Sequence, residues 1–189
     1  NALVAIMICY LIDVPTKDIQ NTLPQVHVLG RGQVMHVSPD YSVLIDYAHN
    51  GVSFESIIST VEQYNPNKLI VVYGSGGKRS KTRRYESGEV VAKHGGYSIL
   101  TADNPRGEKI VDICKDIVVG IDKYHGEYTI IPDRKEAIYH ALDMACKGDV
   151  VLLLGKGHET YMIGEDEVTR HFSETEVLEE YKKERGLNA

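Results

Sequence analysis

The sequence predicts an α/β fold with a mainly parallel sheet and helices on both faces, preceded by a short helical remnant of another domain. Strand-length apolar runs alternate with amphipathic helical segments along most of the chain. Glycine-rich or polar stretches follow four of the predicted strands, as expected where parallel strands end in loops at one edge of a sheet. Residues 1–29 show helical periodicity instead.

The first part of the chain contains two predicted helices. Apolar residues recur at helical spacing from Leu3 to Leu11, and the turn at Asp13–Pro15 ends this helix. A second short helix is predicted over Thr16–Leu23. Residues 26–30 have the composition of an interdomain hinge. Because the chain begins at Asn1 inside a helical pattern, we expect it to be part of a longer protein.

The rest of the chain alternates regularly between strands and helices. Strands are predicted at residues 33–37, 42–47, 69–73, 98–101, 128–131 and 150–154. Helical faces are predicted at residues 54–61, 110–121 and 137–145. A hairpin is predicted over residues 161–171, and Ser173 with Glu176 predicts a capping box for the last helix. Because βαβ crossovers are right-handed, this order predicts a Rossmann-like sheet with its loops at one edge.

Composition and charge narrow the classes of partner. A net charge of −6 argues against general affinity for nucleic acid or anionic membranes and favours small molecules. The apolar run near the start is interrupted by Asp13 and is too short to span a bilayer. Cys9, Cys114 and Cys146 lack C-x-x-C spacing, which favours buried free thiols over disulfides or zinc. We therefore expect a cytoplasmic protein.

The stretch from Asp103 to Arg106 stands where a predicted buried strand must stop. Pro105 and Gly107 cannot continue a sheet, so the polar side chains here project from its edge. The Asn104 amide both donates and accepts hydrogen bonds, and the Arg106 guanidinium matches a carboxylate or phosphate. The pair suits a ligand with both ammonium and carboxylate groups. A plain turn, in which Asp103 or Asn104 bonds its own backbone, explains these residues equally well.

Another candidate site follows the strand that ends at Asp46. This carboxylate and the imidazole of His49 can hold a ribose hydroxyl and a phosphate. The spacing alone favours the simpler interpretation of a helix start capped by Asn50 or Ser53.

Two glycine-rich loops complete the set. Residues 74–84 are rich in glycine and basic residues but lack P-loop spacing, so we expect anion binding by the backbone and Arg79. The alternative is a solvated, flexible loop. In residues 155–160 the glycines allow close approach of a ligand, and Glu159 can bind an ammonium group. The zinc motif H-E-x-x-H fails at Met162, so we expect no metal site.

The four loops together resemble the C-terminal domain of the Mur ligase family. The matching motifs are Asp46-Tyr-Ala-His49, Gly74-x-Gly-Gly-x-Arg79, Asp103-Asn-Pro-Arg106 and Gly155-Lys-Gly-His-Glu159. The resemblance covers nearly the whole chain. It implies that residues 1–29 are the last helices of a central ATPase domain plus a hinge, and that residues 30–189 are the C-terminal, amino-acid-binding domain.

The resemblance also implies an activity and roles for individual residues. It is strongest to the diaminopimelate-adding branch, which uses ATP and Mg²⁺ to activate UDP-MurNAc-L-Ala-D-Glu as an acyl phosphate and then forms an amide. The residues implied to surround the free end of meso-diaminopimelate are Arg79, Asn104, Arg106, Gly155 and Glu159. Those implied to meet ATP are Arg31, Asp46 and His49. The P-loop and a carbamylated lysine of the family belong to parts outside this chain.

Some residues depart from the family pattern and leave alternatives open. Asn50-Gly51 replaces the usual Thr-Pro, Lys78 stands where an acidic residue is frequent, and Tyr85 stands where proline is frequent. The alternatives are a lysine-adding ligase and a folylpolyglutamate or cyanophycin type of amide ligase. A non-catalytic module that binds a small molecule is a third.

Overall fold

A six-stranded sheet forms the centre of the fold in the computed structural model, which describes residues 2–26 and 28–187. Its strands are β1 (Gln33–Met35), β2 (Ser42–Asp46), β3 (Leu69–Tyr73), β4 (Tyr97–Leu100), β5 (Tyr128–Ile130) and β6 (Val150–Leu154). The spatial order is β1-β2-β6-β3-β4-β5, with only β1 antiparallel to its neighbour among these strands. A separate hairpin pairs β7 (Tyr161–Ile163) with β8 (Thr169–His171). The predicted α/β class and mainly parallel sheet are confirmed.

Five helices cover the two faces of this sheet: α3 (Gly51–Glu62), α4 (Thr82–Lys93), α5 (Ile110–Asp122), α6 (Arg134–Met144) and α7 (Glu174–Arg185). They are preceded in the chain by α1 (Ala2–Leu11), α2 (Thr16–Thr22) and a 3₁₀ turn at Leu23–Gln25. The central strands β3 and β6 are buried along their whole length. Their side chains alternate between one core cluster under α3, α4 and α5 and another under α6 and α7. This two-sided burial explains why both strands are uniformly apolar.

The first two helices pack differently from the rest. Among the described residues, neither α1 nor α2 buries any side chain, and Leu3 and Leu11 are each 76% exposed. No helix in the described ranges 2–26 and 28–187 is long and apolar enough to cross a bilayer. The predicted hinge at residues 26–30 includes His27, which lies outside the described residues.

Several local predictions need correction. Ser173 caps α7 by accepting a hydrogen bond from the backbone of Glu176, but the Glu176 carboxylate pairs with His171 at 2.6 Å, so the predicted capping box is only half formed. The three cysteines are free, yet only Cys114 is buried; burial raises the pKa of its thiol to about 12. Cys146 is exposed because it follows the end of α6.

A wholly buried ion pair ties the helices to the ends of the strands. Arg134, at the start of α6, donates to one Glu174 carboxylate oxygen at 2.7 and 3.0 Å. Its remaining hydrogen bonds go to the carbonyl oxygens of Ala102 and Leu154, each at 2.8 Å. Burial raises the pKa of Glu174, and the positive charge of Arg134 offsets part of this rise. Arg134 therefore fixes the backbone just beyond β4 to the end of β6.

Replacing Arg134 should be costly, because it leaves Glu174 as an unpaired buried charge. We expect Arg134→Met to lower the free energy of unfolding by about 3–5 kcal/mol, measured by urea denaturation. Arg185→Met, which breaks an exposed pair with Asp143, should cost less than about 1 kcal/mol. Similar losses in the two variants would contradict this role for Arg134.

His94 should make stability depend on pH. Its ring nitrogens contact Glu62 at 2.9 Å and Glu55 at 3.1 Å on α3. Burial lowers the pKa of His94, but these two carboxylates outweigh it and the pKa lies above 6.5. The stabilisation is therefore complete below pH 6.5 and is lost as the pH rises through the folded-state pKa.

The measurement is urea denaturation of the wild type and His94→Gln across this pH range. The difference in unfolding free energy should shrink as the pH rises. Gln63→Ala, at an exposed position just after α3, removes no titratable group; it is the control and should show a constant difference. A constant difference for His94→Gln would disprove the linkage.

Candidate functional site

A polar cavity of about 240 Å³ opens at the carboxyl edge of the sheet. All four loops predicted at this edge contribute to it. Its lining consists of Tyr47, His49, Ser75, Gly76, Arg79, Arg83, Asp103, Asn104, Arg106, Gly155 and Glu159. The structure thus brings together the five residues predicted to bind an amino acid. Parallel strands explain the convergence, because their carboxyl ends meet at one edge.

One wall of the cavity is built around Asn104, which is 2% exposed. Its amide nitrogen donates to Asp103 and to Glu159 Oε2, each at 3.0 Å. Its amide oxygen accepts from the backbone of Ile163 at 2.9 Å and from Lys156 at 3.3 Å. All four hydrogen-bonding positions of the amide are therefore used within the protein. Direct contact with a ligand would require one of these bonds to be exchanged.

Glu159 lies beside Asn104 with a buried cation behind it. Lys156 is fully buried, and its ammonium group contacts Glu159 Oε2 at 2.7 Å. Burial raises the pKa of Glu159, but hydrogen bonds from Lys156 and Asn104 outweigh this effect and lower the pKa below its ordinary value. Glu159 is thus held as a carboxylate. Sequence reasoning missed Lys156, although a lysine between two glycines directly after the most apolar strand was a usable signal.

Three arginines also line the cavity. Arg79 and Arg83 come from the basic loop and the start of α4, and Arg106 comes from the loop after β4. Arg106 has a φ of 47°, and its side chain donates to the Asn104 carbonyl at 3.3 Å. The hairpin supports this conformation, since the Arg106 N–H donates to the Ile163 carbonyl at 3.4 Å. The cavity lining therefore combines carboxylates with guanidinium groups.

The basic loop is anchored to the protein at its two ends. The buried Arg84 donates to Glu108 at 2.8 Å and to Asp116 at 2.9 Å. The second Glu108 oxygen accepts the backbone N–H of Lys78 at 2.5 Å. The solvated-loop alternative therefore fails for Arg84. Arg84 is therefore a structural residue inside the protein. Arg79 and Arg83, in contrast, line the cavity.

The three residues predicted to meet ATP surround Tyr47 next to the cavity. Arg31 lies over the Tyr47 ring at 4.8 Å, and His49 Nδ1 is 3.0 Å from the Tyr47 carbonyl oxygen. Asp46 accepts the backbone N–H groups of Gly32 and Ala48, each at 2.7 Å. Of the three, His49 lines the cavity, and Asp46 lines a neighbouring groove. Their contact with ATP stays a prediction.

The simpler interpretation of the loop after β2 is also present. Asn50 caps α3 by accepting from the backbone of Ser53 at 3.0 Å, and the Ser53 hydroxyl accepts from the backbone of Asn50 at 3.2 Å. The loop therefore starts a helix and also places His49 at the cavity. Within the described residues, no group of three or more His, Cys, Asp or Glu side chains is placed to hold a metal ion.

The fold and the cavity define a Rossmann-like domain with a polar cavity at the carboxyl edge of its sheet. Residues 30–157 match the family model for the Mur ligase, glutamate ligase domain. The chain belongs to the Mur ligase family and corresponds to its C-terminal domain.

Similar proteins agree with this assignment. The UDP-N-acetylmuramoyl-L-alanyl-D-glutamate--2,6-diaminopimelate ligase of Caldanaerobacter subterraneus subsp. tengcongensis is 41% identical over 180 residues, which cover 95% of this chain and 37% of that protein. The enzyme of the same name from Clostridium perfringens is 40% identical, over 94% of this chain and 37% of that protein. The chain thus spans about 37% of the length of these relatives.

Solved structures give the same result. A structure of a UDP-N-acetylmuramoyl-L-alanyl-D-glutamate--2,6-diaminopimelate ligase superposes with a TM-score of 0.76 at 27% identity, over 96% of this chain and 37% of that one. The bifunctional folylpolyglutamate synthase/dihydrofolate synthase of Yersinia pestis CO92 has a TM-score of 0.59 at 20% identity, over 75% of this chain and 31% of that one. The second likeness shows a shared fold only.

Two glycines near the start of the domain allow a matched test of how the chain docks on the cavity loop. Gly30 has a φ of 65°, and a Cβ there would lie 2.2 Å from the backbone nitrogen of His158. Gly32 has a φ of 55°, and a Cβ there would meet open space. Alanine at either position costs about 1–2 kcal/mol in left-handed backbone. We expect Gly30→Ala to lose a further 1–3 kcal/mol or so through overpacking, measured by urea denaturation. Equal losses would show that this packing contributes nothing.

Proposed function

We propose that this chain is the C-terminal part of an ATP-dependent ligase that adds meso-diaminopimelate to UDP-MurNAc-L-Ala-D-Glu during peptidoglycan precursor synthesis. The names of the relatives support this reaction. The observation that carries the proposal is the cavity, whose lining includes the Glu159 carboxylate together with the Arg79 and Arg106 guanidinium groups. Such a cavity suits a ligand end with one ammonium and one carboxylate.

The charges of the cavity explain selection of diaminopimelate over lysine. Glu159, held as a carboxylate, would bind the distal ammonium group of the substrate. Arg79 and Arg106 would bind the distal carboxylate, and Gly155 allows the substrate to approach the backbone closely. Lysine has no distal carboxylate, so it would leave the guanidinium groups without a partner. Asn104 would orient Glu159 and would meet the substrate only by exchanging a bond.

In this proposal, ATP and Mg²⁺ are bound mainly by the part of the enzyme outside this chain. ATP supplies the phosphoryl group that activates the acceptor carboxylate as an acyl phosphate. Arg31, Asp46 and His49 would approach the nucleotide, and their part is positioning and charge stabilisation. The described residues contain no carboxylate cluster suited to Mg²⁺, so we assign the metal to none of them. The cytoplasmic location stays a prediction.

We also propose the domain boundary near residue 30. The family match begins at residue 30, and α1 and α2 bury no side chain in the described part of the chain. The exposed side chains of α1 are largely apolar, and an exposed apolar helix of this kind is expected where a neighbouring domain normally covers it. Residues 1–29 would then be the last helices of the central ATPase domain plus the hinge.

The decisive experiment is ATP-dependent phosphate release by the complete protein with UDP-MurNAc-L-Ala-D-Glu, comparing meso-diaminopimelate with L-lysine. Release with diaminopimelate alone is the expected result. Release with lysine alone would favour the lysine-adding alternative. No release with either would favour another amide ligase or a non-catalytic binding module.

Arg106 should decide recognition of the substrate. In the complete enzyme, Arg106→Ala should lose about 1.5–3 kcal/mol of diaminopimelate recognition, because a charge-assisted hydrogen bond is removed. This corresponds to a rise in the KM for diaminopimelate of roughly ten- to hundredfold. Arg185→Ala, on α7 away from the cavity, should leave that KM unchanged. An unchanged KM in Arg106→Ala would remove Arg106 from the proposed site.

A further inference from the structure

Lys156 is buried beneath the cavity and makes polar contacts with three separate segments. Its ammonium group contacts Glu159 Oε2 at 2.7 Å, Asn104 Oδ1 at 3.3 Å and the carbonyl oxygen of Tyr161. These partners belong to the loop after β6, the loop after β4 and the start of β7. Its side chain has 0% exposure, so the ammonium group itself is shielded from the cavity. A buried cation of this kind is costly unless it is fully paired.

The contacts divide the two oxygens of the Glu159 carboxylate. Oε2 accepts from Lys156 and from the Asn104 amide at 3.0 Å. Within the described residues, the partner of Oε1 is the Tyr47 hydroxyl, at the long distance of 3.3 Å. One oxygen is therefore committed to the protein. The other keeps acceptor capacity for a donor in the cavity.

The groups around Glu159 would not hold its carboxylate in this orientation without Lys156. Asp103 and Glu159 both accept from the same Asn104 amide nitrogen, so the two carboxylates lie side by side. Like charges at this separation repel each other. The arginines that line the same cavity would also attract an unanchored Glu159 side chain.

We infer that Lys156 is a positioning residue for the amino-acid substrate, which holds Glu159 so that one carboxylate oxygen faces the substrate ammonium group. The inference rests on the proposed function. Lys156 acts only through Glu159 and Asn104 and does not touch the substrate. It also joins three segments of the cavity wall, so its effect falls on substrate affinity and not on the chemical step.

The test is a double-mutant cycle in the complete enzyme, read by phosphate release. Lys156→Met should raise the KM for diaminopimelate by roughly ten- to hundredfold, because the substrate ammonium group would lose its charge-assisted hydrogen bond to a fixed carboxylate oxygen. The KM for ATP should stay within about twofold. Glu159→Gln should also raise the KM for diaminopimelate. In the double variant the two effects should not multiply, since Lys156 acts through Glu159.

Two controls separate positioning from general destabilisation. Lys115→Met removes an exposed lysine with the same three-residue spacing to its carboxylate partner, Asp112, and should change neither KM. If Lys156→Met does not fold, Lys156→Gln takes its place, because its neutral amide keeps a polar group in the buried position but removes the charge and has two N–H donors for the three acceptors that Lys156 contacts. Thermal unfolding of each variant checks the fold.

The outcomes distinguish this inference from the proposed function. An active wild type with an unchanged KM for diaminopimelate in the Lys156 variants overturns the inference alone. Effects that multiply in the double variant also overturn it, because Lys156 would then act independently of Glu159. A wild type without diaminopimelate-dependent phosphate release overturns the proposed function and the inference with it.

Discussion

The site depends on the hydrogen bonds made by the buried guanidinium group of Arg134. It accounts for the positions of two chain segments that are far apart in sequence, because it binds the carbonyl oxygens of Ala102 and Leu154. Asp103 and Asn104 follow directly after the first, and Gly155 follows directly after the second. The ion pair with Glu174 compensates the cost of burying this charge. The cavity wall is therefore positioned from below by a residue that does not line it.

Two buried cations lie at this edge of the sheet, each paired with a carboxylate. Arg134 pairs with Glu174 and Lys156 pairs with Glu159, and Glu159 lines the cavity together with arginines. Each cation is also bound by carbonyl oxygens, so no excess of positive charge accumulates under the site. A polar interior of this kind is stable only when nearly every group is paired.

The sequence predicted the fold well and the site only in outline. β3 and β6 were predicted to the residue, because strands buried on both faces must be apolar throughout. The four loops could be assigned to one edge of the sheet because parallel strands place their carboxyl ends together, and this rule needs only the order of the strands along the chain. Arg134 and Lys156 were missed, because a lone cation in a sequence is normally exposed and only tertiary partners allow its burial. The predicted capping box of α7 was half wrong, because the Glu176 carboxylate pairs with His171 and does not bind the backbone of Ser173.

The close packing of Gly30 against the loop that follows β6 has a mechanical consequence. The backbone at Gly30 leaves no room for a side chain beside Gly157 and His158, so the segment that leads into β1 packs directly on the loop that follows β6. A side chain at position 30 would therefore displace the loop that carries Glu159, although Gly30 lies outside the cavity lining.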